Sequence, residues 1–173
     1  MTTKHGKGTI VKTRETRDTI WNFKSFTEIA KNQSFEPISR IILQKVVIED
    51  NKSYSFLKRI RGIRKPENTI VWLTVEVSKV PLDTFPQINQ YDFENNSLYQ
   101  IMKNEYHIAP YYAELKIDPI ISDEDLMITF NLTQATPLLK SNGRLFTESE
   151  SEIEQFEIIY SPKFNFRFSQ YIE

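Results

Sequence analysis

Arg59 and Arg61 stand two residues apart within residues 53–63, a run that reads as a β-strand. Alternation along a strand puts both guanidinium groups on one face, and Leu57 and Ile63 extend that face on either side. Paired guanidinium forks suit an oxyanion, because each can donate parallel hydrogen bonds to it. The plainer reading is a solvated strand face. Ser25-Phe26-Thr27-Glu28 has the form of a capping box, with Ser as the helix N-cap and Glu three residues on. A helix over residues 26–33 would offer unpaired backbone N–H groups at its start, a second device for holding an anion. Its plainer reading is a cap and nothing more.

Carboxylates and a phenol complete the set. Glu76 lies on the opposite strand face from Val71, Leu73, Val75 and Val77, together with Trp72 and Thr74. It can accept from hydroxyls or an amine. Glu154 and Tyr160 are six apart, on one face of a single strand. Surface charge and core aromatic are the plainer readings. His5 and His107 are the two histidines, and neither is spaced with carboxylates as a metal ligand. A histidine-based triad would rest on His107 alone. The acidic run from Glu148 to Glu154 has no calcium-loop spacing and reads as a solvated hairpin tip. The expectation is no catalytic residue, no metal and no cofactor.

The elements that must position these groups fit one domain. The chain has 173 residues, within the usual range of roughly 100–200 per domain. It has no cysteine, which excludes disulfides and thiolate metal sites and fits a cytoplasmic location. Twenty-two Lys and Arg against 23 Asp and Glu give a net charge of −1, a poor balance for holding a nucleic-acid backbone unaided. Four glycines argue against a Gly-rich phosphate loop. No run is apolar enough to span a membrane.

Strands are expected over residues 38–48, 53–63, 70–78, 111–117, 138–147, 153–160 and 164–171, with Thr9-Ile10-Val11 a further β-prone stretch. Asn51-Lys52, residues 65–68 and Ser141-Asn142-Gly143 read as turns. Besides the Ser25 helix, Asn96 is expected to cap a helix carrying Leu98, Ile101, Met102 and Tyr106. Ser122 and Asp125 read as a capping box for another helix through about Asn131, and residues 82–88 as a short helical stretch. Short connections favour an α+β domain, an antiparallel sheet of about six strands with helices packed on it.

In this order the sequence resembles the UTRA effector-binding domain of GntR-type bacterial transcription regulators of the HutC subfamily, which shares the chorismate lyase fold. The resemblance covers about residues 25–171. It is carried by Ser25-Phe26-Thr27-Glu28, by Leu57-Lys58-Arg59-Ile60-Arg61 followed by Glu76-Val77-Ser78-Lys79-Val80-Pro81, by Ser97-Leu98-Tyr99, and by Thr136-Pro137-Leu138-Leu139 with Glu154 and Tyr160. Gly6-Lys7-Gly8-Thr9-Ile10-Val11 resembles the last wing strand of the winged helix-turn-helix that precedes UTRA in such regulators. The resemblance therefore implies a wing remnant and linker over residues 1–20 and an effector-binding domain over residues 21–173, with the DNA-reading module absent.

It also implies a function: sensing of a small anionic metabolite, of the sugar-phosphate kind, by a cytoplasmic homodimer that meets operator DNA only through that absent module. Ser25, Phe26, Thr27, Arg59 and Arg61 would hold the phosphate. Glu76, Glu154 and Tyr160 would hold the polar body of the ligand. The stretch between Arg61 and Glu76 is longer than the family's usual turn, so Arg64 is the alternative to Arg61. Ser161-Pro162-Lys163 departs from the family's pattern after the tyrosine. The alternative function is a chorismate lyase-like enzyme on the same fold, which would release pyruvate from chorismate.

Overall fold

The computed structural model describes residues 26, 27, 30 and 35–164. Six antiparallel strands make one sheet, in the spatial order β1-β2-β3-β6-β5-β4. They are β1 (Glu36–Glu49), β2 (Lys52–Arg64), β3 (Ile70–Pro81), β4 (Tyr112–Ile121), β5 (Pro137–Phe146) and β6 (Glu152–Tyr160). Helix α1 (Leu98–Glu105) follows β3, and α2 (Glu124–Phe130) links β4 to β5. Two three-strand meanders are thus joined at their inner strands, β3 and β6.

Local chemistry sets the connections. Asp50 and Asn51 both have positive φ, 48° and 60°, as a two-residue hairpin turn matched to strand twist requires. Ser141-Asn142-Gly143 is not a turn but lies inside β5, where Gly143 faces Leu115 and Phe156. A Cβ on Gly143 would collide with the Glu114 carbonyl oxygen of β4, so the glycine serves close strand approach.

The helices begin elsewhere than the sequence pattern implies. Ser97, not Asn96, is the N-cap of α1, and the Asn96 side chain donates to the Asp92 carbonyl instead. His107, at φ 57°, follows the last turn in the left-handed region favoured after a helix end. Asp123, not Ser122, caps α2 by accepting from the Leu126 N–H at 2.9 Å. The Ser122 hydroxyl accepts from the Thr136 N–H, holding the start of β5. Residues 82–88 form turns leading into a 3-10 turn over Ile88–Gln90. Phe26, Thr27 and Ala30 are helical. Ser25, the 9–11 stretch and all but Phe164 of the expected last strand lie outside the described residues, and Phe164 itself is not in a strand.

Each sheet face carries its own core. On one, Leu57, Val80, Leu145 and Ile153 pack against Phe85, Ile88 and Phe93 of the long β3–α1 connection and Leu98 and Met102 of α1. On the other, Ile60, Val75 and Leu138 pack against Leu126 and Phe130 of α2. The connection is tied down by polar contacts too. Gln44 Nε2 donates to the Asn89 and Tyr91 carbonyls, and the Ile41 N–H donates to Glu94 Oε1.

Bulges break the two-residue alternation. In β3, Arg61 pairs with Thr74 but Gly62 pairs with Trp72, leaving Leu73 as the extra residue. Trp72 therefore packs with the Ile60 core, on the face opposite Glu76, contrary to simple alternation. A second irregularity, between Leu145 and Phe146, lets the neighbours Ile153 and Glu154 both be buried.

Candidate functional site

The face that carries the α1 core also carries a buried polar cluster at its centre. Arg59 and Arg61 come from β2, Thr74, Glu76 and Ser78 from β3, Ser141 from β5, and Glu154 and Tyr160 from β6. Arg59 and Arg61 are each 4% exposed and Glu154 is 1% exposed, an arrangement that costs free energy unless the charges are paired.

Glu76 is the shared counter-ion. Its Oε2 lies 3.3 Å from Arg59 Nη2 and 3.7 Å from Arg61 Nη1, while its Oε1 accepts from the Thr74 hydroxyl at 3.0 Å. Arg61 is further tethered. Its Nε donates to Ser39 Oγ of β1 at 3.2 Å and its Nη2 to Thr27 Oγ1 at 2.7 Å. Its guanidinium also sits 4.6 Å from the Phe26 ring centre, a cation–π contact. Arg61 thus binds the helical residues Phe26 and Thr27 to the sheet. Burial lowers its pKa to about 10, with Glu76 opposing that effect, so it remains charged at neutral pH.

Arg59 differs. Its Nε and Nη1 are buried with no hydrogen-bond partner among the described residues. Glu154 Oε2 is likewise buried and partnerless, although the carboxylate interacts with the hydroxyls of Ser78 and of Tyr99 from α1. Burial pushes the Glu154 pKa up to about 7, against the opposing pull of those hydroxyls and of Arg59. Tyr160 shares a 2.9 Å hydrogen bond with Ser141, and burial raises its pKa well above the usual phenol value. Among the described residues, three buried polar atoms on Arg59 and Glu154 thus lack a hydrogen-bond partner. Left unsatisfied, each costs roughly 1–3 kcal/mol or more.

Of the residues the sequence singles out, Phe26, Thr27, Arg59, Arg61, Glu76, Glu154 and Tyr160 share this face, and Ser25 lies outside the described residues. Arg64 does not join them. It pairs with Glu36 at 3.1 Å and donates to Asn68 at 2.6 Å, beside the β2–β3 turn. Ser39, Thr74, Ser78, Tyr99 and Ser141 complete the cluster. Ser78 was findable as the residue two beyond Glu76. Ser141 was hidden by its resemblance to a turn. The described residues include no group of three His, Cys, Asp or Glu side chains that could hold a metal ion. A cavity of about 400 Å³ lies on the other face, beside α2, lined by Lys58, Val77, Leu126 and Glu157 among others, and contains none of the three unmatched atoms.

The comparisons with known proteins agree with this architecture. The chain is 22% identical over 161 residues to the HTH-type transcriptional regulator YurK of Bacillus subtilis (strain 168), covering 87% of this chain and 64% of the relative. It therefore spans a little under two thirds of that relative's length. The effector domain of PhnF from Mycobacterium smegmatis superposes with a TM-score of 0.75 at 19% identity, over 86% of this chain and 95% of that one. The transcriptional regulator YydK of Bacillus subtilis gives 0.69 at 14% identity, over 79% of this chain and 64% of that one. The fold is the α+β, chorismate lyase-like fold of such effector domains. The UTRA domain model matches residues 33–163, which takes in β1 to β6, α1 and α2, and the chain belongs to the UTRA domain family.

Proposed function

We propose that the chain is the effector-sensing half of a GntR-type transcription regulator of the HutC subfamily. In this reading residues 21–173 are the sensing domain, and residues 1–20 are the end of a winged helix-turn-helix and its linker. The effector is a small anionic metabolite, most simply a phosphorylated sugar, and its binding modulates contact with operator DNA by the upstream module of a homodimer. The single observation that carries the reading is Arg59: a guanidinium 4% exposed, with two nitrogens unpaired and one shared counter-ion. An anionic oxygen is the group that satisfies such donors best. Arg61, Thr27 and the backbone at Ser25 and Phe26 stand with Arg59 on the phosphate. Glu76, Glu154 and Tyr160 take the hydroxyl-bearing body.

A thermal-shift screen of sugar phosphates tests this, with the unphosphorylated sugars as controls. A cognate ligand at a hundredfold excess over its Kd adds about 2.7 kcal/mol of stability by mass action. If the unphosphorylated sugars stabilise the chain as well as the phosphorylated ones, the anion reading is wrong.

A further inference from the structure

The buried cluster carries charges that do not balance for every ligand. Arg59 and Arg61 supply two positive charges and Glu76 one negative. Glu154 adds a second negative charge only when ionised. An anion settling on Arg59 then brings more negative charge into a site sealed from water, where such charges repel strongly. Something must give. Among the described residues, the groups that act on buried Glu154 are Arg59 from β2, Glu76 and Ser78 from β3, and Tyr99 from α1. Of these Arg59 is the cation, and it is also the anion's contact in the reading above. An anion there takes up the field that favours ionised Glu154.

We propose that anion binding at Arg59 is coupled to the uptake of one proton by Glu154. The proton comes from solvent and goes to Oε2, the carboxylate oxygen that has no partner in the free site. Neutralisation removes the repulsion and turns that oxygen from an acceptor into a donor, which an oxyanion or hydroxyl of the ligand can accept. Because burial already holds Glu154 near 7, the coupling falls in the neutral range, and the sensor answers to pH as well as to its effector. The inference rests on the assignment of Arg59 as the anion contact and adds a regulation to that site.

Calorimetry with sulfate tests it, since sulfate keeps its charge from pH 5.5 to 8.5. Titrations in buffers of different ionisation heat give the number of protons exchanged. In the full chain, uptake should approach one proton per sulfate near pH 8 and fall toward zero near pH 5.5. Affinity should drop up to about tenfold per pH unit above neutrality. Glu154→Gln should abolish uptake and make affinity independent of pH. Binding by the wild-type chain without proton uptake at pH 8, or uptake unchanged in Glu154→Gln, overturns the proposal. A carbon-13 carboxyl titration of the ligand-free chain is a second check that needs neither variant nor sulfate. A Glu154 resonance titrating below pH 5 overturns the coupling and leaves the anion site standing. Failure of sulfate to shift that resonance or the melt at either pH overturns the anion site itself.

Discussion

The Glu76 carboxylate stands 3.3 Å from the Arg59 guanidinium, yet Nε and Nη1 of that guanidinium have no partner. A counter-ion that neutralises the charge but leaves donors empty holds the arginine in place without saturating it. In the proposed reading the pair is a pre-formed anion site whose cost is borne in the free protein. Arg61 is bound to the same carboxylate and is tethered on its other side to Thr27, Phe26 and Ser39.

Arg59→Met should separate stability from binding. It removes one cation from a buried pair, but Arg61 remains as counter-ion to Glu76, so the cost should stay below the about 3–5 kcal/mol of a pair broken outright. Glu76 keeps Arg61 and Thr74. The melt of the free chain should fall less than in Glu76→Ala, while the stabilisation by a sugar phosphate disappears. A full ligand shift in the variant would remove Arg59 from the site.

Glu76→Ala should do the opposite to the free chain. It strands two buried guanidinium groups without a counter-ion, and breaking a buried pair this way costs about 3–5 kcal/mol. Urea denaturation should show the midpoint falling with little change in slope. A loss below about 1 kcal/mol would mean that water reaches the arginines.

Glu154 makes the stability of the free chain pH-dependent. Its pKa rises from 4.5 to about 7 on burial. A raised acid favours the fold when protonated, so its contribution is full below about 4.5 and is lost as pH rises through about 7. At about 1.4 kcal/mol per pH unit, the gap is worth on the order of 3 kcal/mol. The stability difference between the wild-type chain and Glu154→Gln should therefore change by that order between pH 4.5 and pH 8. Parallel profiles for the two proteins would count against a buried, titrating Glu154.

Gly143→Ala should destabilise by about 1–3 kcal/mol, the usual range for forcing an extra carbon into a packed interior. The added Cβ meets the backbone of Glu114, which cannot swing aside as a side chain would. Amide exchange should locate the damage between β4 and β5. An unchanged melt would show that the two strands can part freely.

Asp123→Ala and Ser122→Ala should separate two neighbouring roles. Loss of the Asp123 cap should cost about 1 kcal/mol and speed exchange of the Leu126 amide, whose N–H it accepts. Ser122→Ala should leave that amide protected and expose the one at Thr136. The reverse pattern would restore Ser122 as the cap.

Much of this molecule is set by residue order alone. Hydrophobic runs bounded by Asn51-Lys52 and Lys65-Pro66 mark the first three strands, because strand periodicity and turn chemistry are local properties, although the first turn falls one residue earlier, at Asp50-Asn51, and Lys52 opens β2. The same alternation put Arg59 with Arg61, and Glu154 with Tyr160, each pair on one face. Local patterns misled where two residues of similar chemistry competed for one role, as Ser122 with Asp123 and Asn96 with Ser97. They also misled where a bulge reset the alternation, as at Trp72. What the sequence could not contain is which strands meet. Pairing of β3 with β6 sets Glu76 beside Ile158 and Thr74 beside Tyr160, joining two halves of the chain more than 70 positions apart. Only that long-range pairing, with α1 and the long connection folded over it, buries Arg59 and Glu154 and strips their atoms of water. Burial and lost partners belong to the packed whole, so the residue types could be read from the sequence, while the tertiary structure alone made them a buried cluster.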